Sequence, residues 1–317
     1  MHFSGYVFAL MAVFFWSYNN IIAQQYASAL TPVQFAFGRW FVAALILLPF
    51  TIRDLWQNRH YFVKHFLWLF GLGISGIVLD NTLIYLAGHT VPATNMGILS
   101  ITGPIFLVLL SFIFLKTPIS FLQIIGMIIA IVGVLVVITN NHLSDLFHIS
   151  LAIGDFWVII NALCFAIYSF LQFRKPTIIS QITLLSATVW AGLIILTPAF
   201  FLTTPFTTIH HFTTTDYSLF IYLGIFNSVL AYLTWNSALQ RIGAIKTGII
   251  YYLLPVFTLI ESVLVLKEPI YSSQIIGGLC VMSGIILVNL KKQTSTRQTK
   301  QTPFKQSVKL NDPTNDD

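Results

Sequence analysis

The sequence predicts an all-α polytopic membrane protein of ten transmembrane helices, built as two five-helix repeats of inverted topology. Three observations carry that prediction: an apolar, charge-poor composition, ten long apolar windows, and one stretch that occurs twice. Of the 317 residues, 56% are hydrophobic and 8% charged, whereas about a quarter of the residues in a soluble domain are charged. That much apolar surface exceeds what one water-soluble core can hide. A bilayer accepts it as helices of about 20 apolar residues. The runs lack the polar alternation of a barrel strand, so helices are the spanning element.

Apolar windows separated by polar residues, Pro or Gly fall at about 5–25, 32–52, 66–87, 93–115, 119–139, 152–172, 180–202, 217–239, 245–266 and 272–290. The first lacks a basic leader and runs through Trp16 and the polar Ser17–Asn20 stretch without a small-residue cleavage site. It therefore reads as a retained helix rather than a signal peptide. Five windows precede the polar stretch at 140–150 and five follow it. The expected units are a first half over 1–140, a second over 151–291, and a tail over 292–317. The tail is rich in Gln, Thr and Lys, ends in Asn-Asp-Asp, and has the composition of a disordered segment. Cys164 and Cys280 both fall within apolar windows and suggest neither a disulfide nor a metal site.

The halves are related by sequence. Asn95–Gly133 superimposes on Lys246–Gly284 at a constant offset of 151 residues, matching Gly97 with Gly248, Pro104 with Pro255, Lys116 with Lys267, Pro118 with Pro269, Gln123 with Gln274 and Gly126 with Gly277. Duplicated helical units within one apolar chain are the usual architecture of secondary transporters. Orientation follows from the bases. With the N-terminus inside, the cytoplasmic connections and tail hold 14 Lys and Arg, and the opposite connections hold Lys267 alone, beside Glu268. The positive-inside rule then puts both termini in the cytoplasm. An odd number of helices per half turns the second copy upside down. A binding site near the midplane between the halves is the expected consequence. The net charge of +6 is explained by connections and a tail lying near anionic lipid, so nucleic-acid binding is not expected.

The repeat also carries a family likeness. Its pattern is a small residue followed by P-I-F or P-V-F, an apolar run closing on L-K-T-P or L-K-E-P, then Q-I-I-G. It resembles the EamA domain of the drug/metabolite transporter superfamily. Supporting pieces are Phe15-Trp16-Ser17-Tyr18-Asn19, Phe37-Gly38-Arg39-Trp40, Gly154-Asp155 and Ala166-Ile167-Tyr168, and together the likeness covers about residues 5–291. The resemblance implies ten helices in two EamA repeats. It also implies a central cavity exporting or exchanging small metabolites such as amino acids, nucleobase derivatives, cofactors or drugs. The chain departs from the pattern at Thr117, where the family usually has the Glu that Glu268 supplies in the second copy. If that Glu supports a gate, the two gates should differ in strength.

Charged residues inside the windows are few: Arg39, Asp80 and Glu261. Each is costly in apolar surroundings and should face protein or water. One reading is a buried cluster in which Arg39 compensates Asp80 or Glu261. The other makes Asp80 a proton-coupling or substrate-amine site, with Arg39 structural or gating. Leu110 stands where Glu261 has its counterpart, which favours a specific role for Glu261. Trp16 and Asn19 match Phe165 and Tyr168 at an offset of 149, as befits a cavity lined across a pseudo-axis. Trp235 and Tyr251 are placed to stack on a planar ligand. The candidate binding set is therefore Trp16, Asn19, Asp80, Tyr168, Trp235, Tyr251 and Glu261. The structural or gating set is Arg39, Pro104, Pro255, Lys267 and Glu268. Asn81, Asn161, Asn227 and Asn236 read equally well as ties between helices.

Soluble-enzyme motifs are missing: no Walker sequence, no G-x-S-x-G, no C-x-x-C pair, and no metal spacing among His89, His210 and His211. No enzyme activity, cofactor or metal is expected. The expected partners are a small-molecule metabolite, a coupling proton and membrane lipid, in a bacterial inner membrane. The rival functions are a membrane scaffold or sensor that recruits a partner through the basic tail, and an intramembrane enzyme acting on lipid. Truncation after Lys292 discriminates the first, because a transporter keeps its core activity without the tail. The second requires a catalytic constellation near one interface, which the sequence does not display.

Overall fold

The structure, a computed structural model, describes residues 2–100, 102–115, 121–138, 152–173, 179–205, 208, 211–251 and 253–289. The tail at 292–317 and the segment with Lys116, Thr117 and Pro118 lie outside the described residues. Every regular element among the described residues is a helix. In chain order these are α1 (His2–Gln25), α2 (Pro32–Gln57), α3 (Arg59–Lys64), α4 (Phe66–Gly73), α5 (Asp80–Ala87), α6 (Ala93–Ser100) and α7 (Gly103–Leu115). There follow α8 (Phe121–Ile138), α9 (Ile153–Phe173), α10 (Gln181–Thr203), α11 (Thr214–Tyr222), α12 (Ala231–Tyr251), α13 (Leu254–Glu261) and α14 (Ser272–Asn289).

Seven helical stretches are long and apolar enough to cross a membrane, and Ile124–Gly133 and Leu254–Leu266 are shorter apolar helices. Their outward faces carry Phe50, Leu67, Leu202 and Leu264, each more than 70% exposed. Lipid accepts such rings and branched chains without the cost water would impose. The chain is an integral membrane protein.

Local signals set the starts of helices. Thr31 accepts from Gln34 N while Gln34 Oε1 accepts from Thr31 N, a capping box ahead of Pro32. Thr213 and Asp216 form a second box before α11, and Ser180 caps α10. Widened, π-helical turns occupy Ile74–Leu79, Leu223–Leu230 and Ser262–Leu266. Such turns leave backbone groups free for side chains and are common at functional sites. The first joins α4 to α5 and ends directly before Asp80, the second joins α11 to α12, and the third begins directly after Glu261.

Pro104 and Pro255 each sit in the first turn of a helix that restarts after a break, in α7 and α13. The turn bonds at the two breaks are equivalent: Thr102 N donates to Leu99 O at 3.1 Å, and Leu253 N donates to Ile250 O at 3.0 Å. One expected connection is not there. The sequence places a break near 240–244, but α12 runs unbroken through it to Tyr251. No proline falls in that stretch, so the backbone ladder continues until Pro255 removes a donor.

Small residues set the tightest approaches. A Cβ on Gly133 of α8 would stand 2.6 Å from Gly277 O and 2.7 Å from Val281 N of α14, the most extensively packed helix pair. A Cβ on Gly76 would land in the Tyr168 ring of α9. Gly97 meets Thr258 closely, whereas its repeat partner Gly248 faces open space and needs no close neighbour.

Candidate functional site

The site begins with two charges that the sequence places in apolar helices. Arg39 of α2 is 1% exposed. Its Nε donates to Ser228 Oγ at 2.8 Å. Its Nη1 donates to Asn19 Oδ1 at 3.2 Å and to Tyr85 Oη at 2.9 Å, and Tyr85 Oη in turn donates to Asn19 Oδ1 at 2.8 Å. The guanidinium also lies 5.3 Å from the Trp40 ring centre, a cation–π distance. Its Nη2 is buried without a partner among the described residues.

Asp80 opens α5. Its Oδ1 accepts from Asn161 Nδ2 at 2.9 Å, and its Oδ2 accepts from Tyr232 Oη at 2.9 Å and from Asn81 Nδ2 at 3.3 Å. Asn161 Nδ2 also donates to the Asp80 carbonyl. Among the described residues no carboxylate is ion-paired with Arg39. The two charges instead line the same cavity, each held by neutral hydrogen-bonding groups.

That cavity is about 40 Å³, and its lining includes Trp16, Asn19, Arg39, Asp80, Asn161 and Tyr251. Organic ligands occupy sites of several hundred Å³, so the cavity as it stands is too small to hold one. An aromatic box closes it. Trp16 lies 5.3 Å from Phe165, Trp235 and Tyr232, and Phe165 stacks on Tyr251 at 5.4 Å. Trp16 Nε1 donates to Asn227 O at 3.2 Å, which anchors the ring to the widened turn between α11 and α12.

A second hydrogen bond mirrors the tie between Asn19 and Tyr85. Asn236 Nδ2 donates to Tyr168 Oη at 3.0 Å. Tyr168 stands 149 residues after Asn19, and Asn236 stands 151 residues after Tyr85. The same two positions are tied in each half, with amide and phenol exchanged. Arg39 reinforces only the first tie.

Of the candidate binding residues, Trp16, Asn19, Asp80 and Tyr251 line the cavity. Tyr168 and Trp235 pack behind them, Tyr168 at 5.5 Å from Tyr232 and Trp235 at 5.5 Å from Tyr251. Glu261 does not join them. It faces α1, where Ser17 Oγ donates to its Oε1 at 3.0 Å. The expected cluster of three charges is therefore two charges at the cavity and one apart. An apolar window does not reveal which way a side chain points.

At one end of the bundle, Thr94 Oγ1 donates to Glu268 Oε2 at 2.9 Å and lies 2.8 Å from Ser262 Oγ. Gln274 Nε2 donates to Asn95 Oδ1 at 3.0 Å beside it. Lys267 ends the preceding turn in a left-handed conformation, φ 55°, and so turns the chain toward α14. Residues the sequence reading passed over are Tyr85, Tyr232 and Ser228. Tyr85 carried a signal, being the offset partner of Asn236, and Tyr232 is likewise the offset partner of Asn81.

Comparison with known proteins adds kinship. The model of the EamA-like transporter family matches residues 3–139 and again 152–290. The uncharacterized transporter YyaM of Bacillus subtilis (strain 168) is 26% identical over 285 residues, 90% of this chain and 93% of its own. The probable terminal-alkyne amino-acid exporter of Streptantibioticus cattleyicolor is 25% identical over 238 residues, 73% of this chain and 75% of its own. A solved crystal structure 15% identical to the chain has a TM-score of 0.60, covering 90% of this chain and 97% of its own, a likeness of fold alone. Matched twice over nearly its whole length, the chain belongs to the EamA-like transporter family of the drug/metabolite transporter superfamily.

Proposed function

We propose that the protein is a secondary transporter that moves a zwitterionic, apolar α-amino acid through the central cavity by alternating access, as an exporter or exchanger. The observation that carries this reading is the unpartnered Nη2 of Arg39, a residue that lines the same cavity as Asp80. A buried guanidinium donor without an acceptor costs about 1–3 kcal/mol, and a ligand carboxylate removes that cost. Asp80 offers the complementary oxygen pair to an ammonium. The rings of Trp16, Phe165 and Tyr251 supply an apolar, polarisable wall for the side chain. The Streptantibioticus relative, named a probable terminal-alkyne amino-acid exporter, agrees with this substrate class.

In this reading ten helices form two inverted five-helix halves, over 1–140 and 151–291. Both termini are cytoplasmic, the tail is a disordered basic segment, and the host membrane is a bacterial inner membrane. The 14-to-1 split of bases supports that orientation, and basic connections near the headgroups suit anionic lipid. The bonds from Thr94 to Glu268 and from Gln274 to Asn95 would latch the outer end. At the offset of 151 the inner end has Ile245 for Thr94, Thr117 for Glu268, Lys246 for Asn95 and Gln123 for Gln274. An isoleucine cannot donate to a hydroxyl, so the inner closure is made differently and the two gates differ in strength.

The test is binding by the purified protein of L-phenylalanine, of phenethylamine and of 3-phenylpropanoate, read as a thermal shift. The amino acid should stabilise the protein well beyond either half-molecule. Equal stabilisation by the amine or the acid alone, or none by any of the three, would overturn the zwitterion reading.

A further inference from the structure

Away from the cavity, one carboxyl group has hydrogen bonds that do not add up in its ionised form. Glu261 closes α13 and is half-buried against α1 and α6. Ser17 Oγ lies 3.0 Å from Glu261 Oε1 and 2.8 Å from Phe14 O. A serine hydroxyl has one hydrogen, so it serves the carbonyl or the carboxylate, not both at full strength. Glu261 Oε2 is buried and has no partner among the described residues.

One added proton resolves both faults. The carboxyl O–H donates to Ser17 Oγ, and Ser17 donates to Phe14 O, so each contact becomes a hydrogen bond with its own hydrogen. The oxygen left without a partner is then part of a neutral group, far cheaper to bury than a charge. The surroundings offer no compensating charge. Among the described residues no Lys, Arg or His pairs with Glu261, and α6 brings no titratable side chain. The titratable neighbour is Tyr222 on α11, whose ring lies 5.8 Å from that of Tyr18 on α1. Neither is hydrogen-bonded to Glu261.

We infer that Glu261 and Ser17 form a proton-binding site separate from the central cavity, one that takes up a single proton and joins α1 to α13. Ser17 directly follows Trp16, the ring at the centre of the aromatic box, so the proton acts on the same helix that closes the cavity. The counterparts of the pair are Leu110 and Ala166, neither of which binds a proton, so the device belongs to one half only. That the proton drives cargo rests on the transport reading above; the existence of the site does not.

The test is infrared difference spectroscopy of the full-length protein in nanodiscs, titrated from acid to alkaline buffer and read in the protonated-carboxyl C=O region. Glu261→Gln should remove one carboxyl band that Asp80→Asn leaves in place. Ser17→Ala should keep that band and move its frequency, because the hydrogen-bond partner is gone. Should Glu261→Gln not fold, the Ser17→Ala shift alone decides. A wild-type spectrum unchanged by Glu261→Gln, or a band indifferent to Ser17→Ala, would overturn the assignment whatever the protein transports.

Discussion

Arg39 shows how one residue can be both scaffold and ligand site. Three of its hydrogen bonds join α2 to α1, α5 and the turn before α12, while Nη2 remains unspent. Lysine has neither the reach nor the fork to satisfy Ser228, Asn19 and Tyr85 together. Arg39→Lys should therefore lower stability by about 1–3 kcal/mol, seen as a reduced melting temperature, and abolish the amino-acid shift. Asp80→Asn should be milder for folding, because it removes a buried charge and keeps one oxygen to accept from Asn161 or from Tyr232 and Asn81, yet should also abolish the shift. Charge and the two offsets made Arg39, Asp80, Trp16, Asn19 and Tyr168 legible in the sequence. Tyr85 and Tyr232 are marked only by their offset partners Asn236 and Asn81, since a tyrosine in an apolar window carries no mark of its own of which side it points to. For the same reason Glu261 was grouped with Asp80 although it faces another helix.

Among the elements, breaks and widened turns fall beside the residues that matter. Pro104 and Pro255 mark two of the breaks, because a missing N–H has a fixed backbone consequence. No residue type announces a π-helical turn, so the turns before Asp80, before α12 and after Glu261 could not be read. Nor could the run of α12 through 240–244, where Arg241 and Gly243 have the composition of a connection. Helix packing is more predictable. Gly133 touches the backbone of α14, so Gly133→Leu should force the pair apart and destabilise the protein by about 1–3 kcal/mol. Gly248→Ala, with open space around it, should be close to neutral. Parallel melting curves of the two variants check both expectations, and equal melting temperatures would contradict the packing argument.

At the scale of the whole molecule, one end of the bundle carries a hydrogen-bonded fastening among the described residues. The latch of Thr94, Ser262 and Glu268 is a hydrogen-bonded connection between the first-half helix α6 and the residues that follow α13. Removing it with Thr94→Ala should shift the population toward the state open at that end. A cysteine introduced at Ile98 should then react with a membrane-impermeant thiol reagent several-fold faster than in the otherwise unaltered protein. An unchanged rate would mean that the latch does not gate. The most direct measurement is counterflow of labelled L-phenylalanine into liposomes holding the purified protein and preloaded with the unlabelled amino acid. Transient accumulation of label in the unaltered protein, absent in Asp80→Asn and Arg39→Lys, is the predicted result. Accumulation that survives both substitutions, or none in the unaltered protein, would contradict transport of an amino acid through the central cavity.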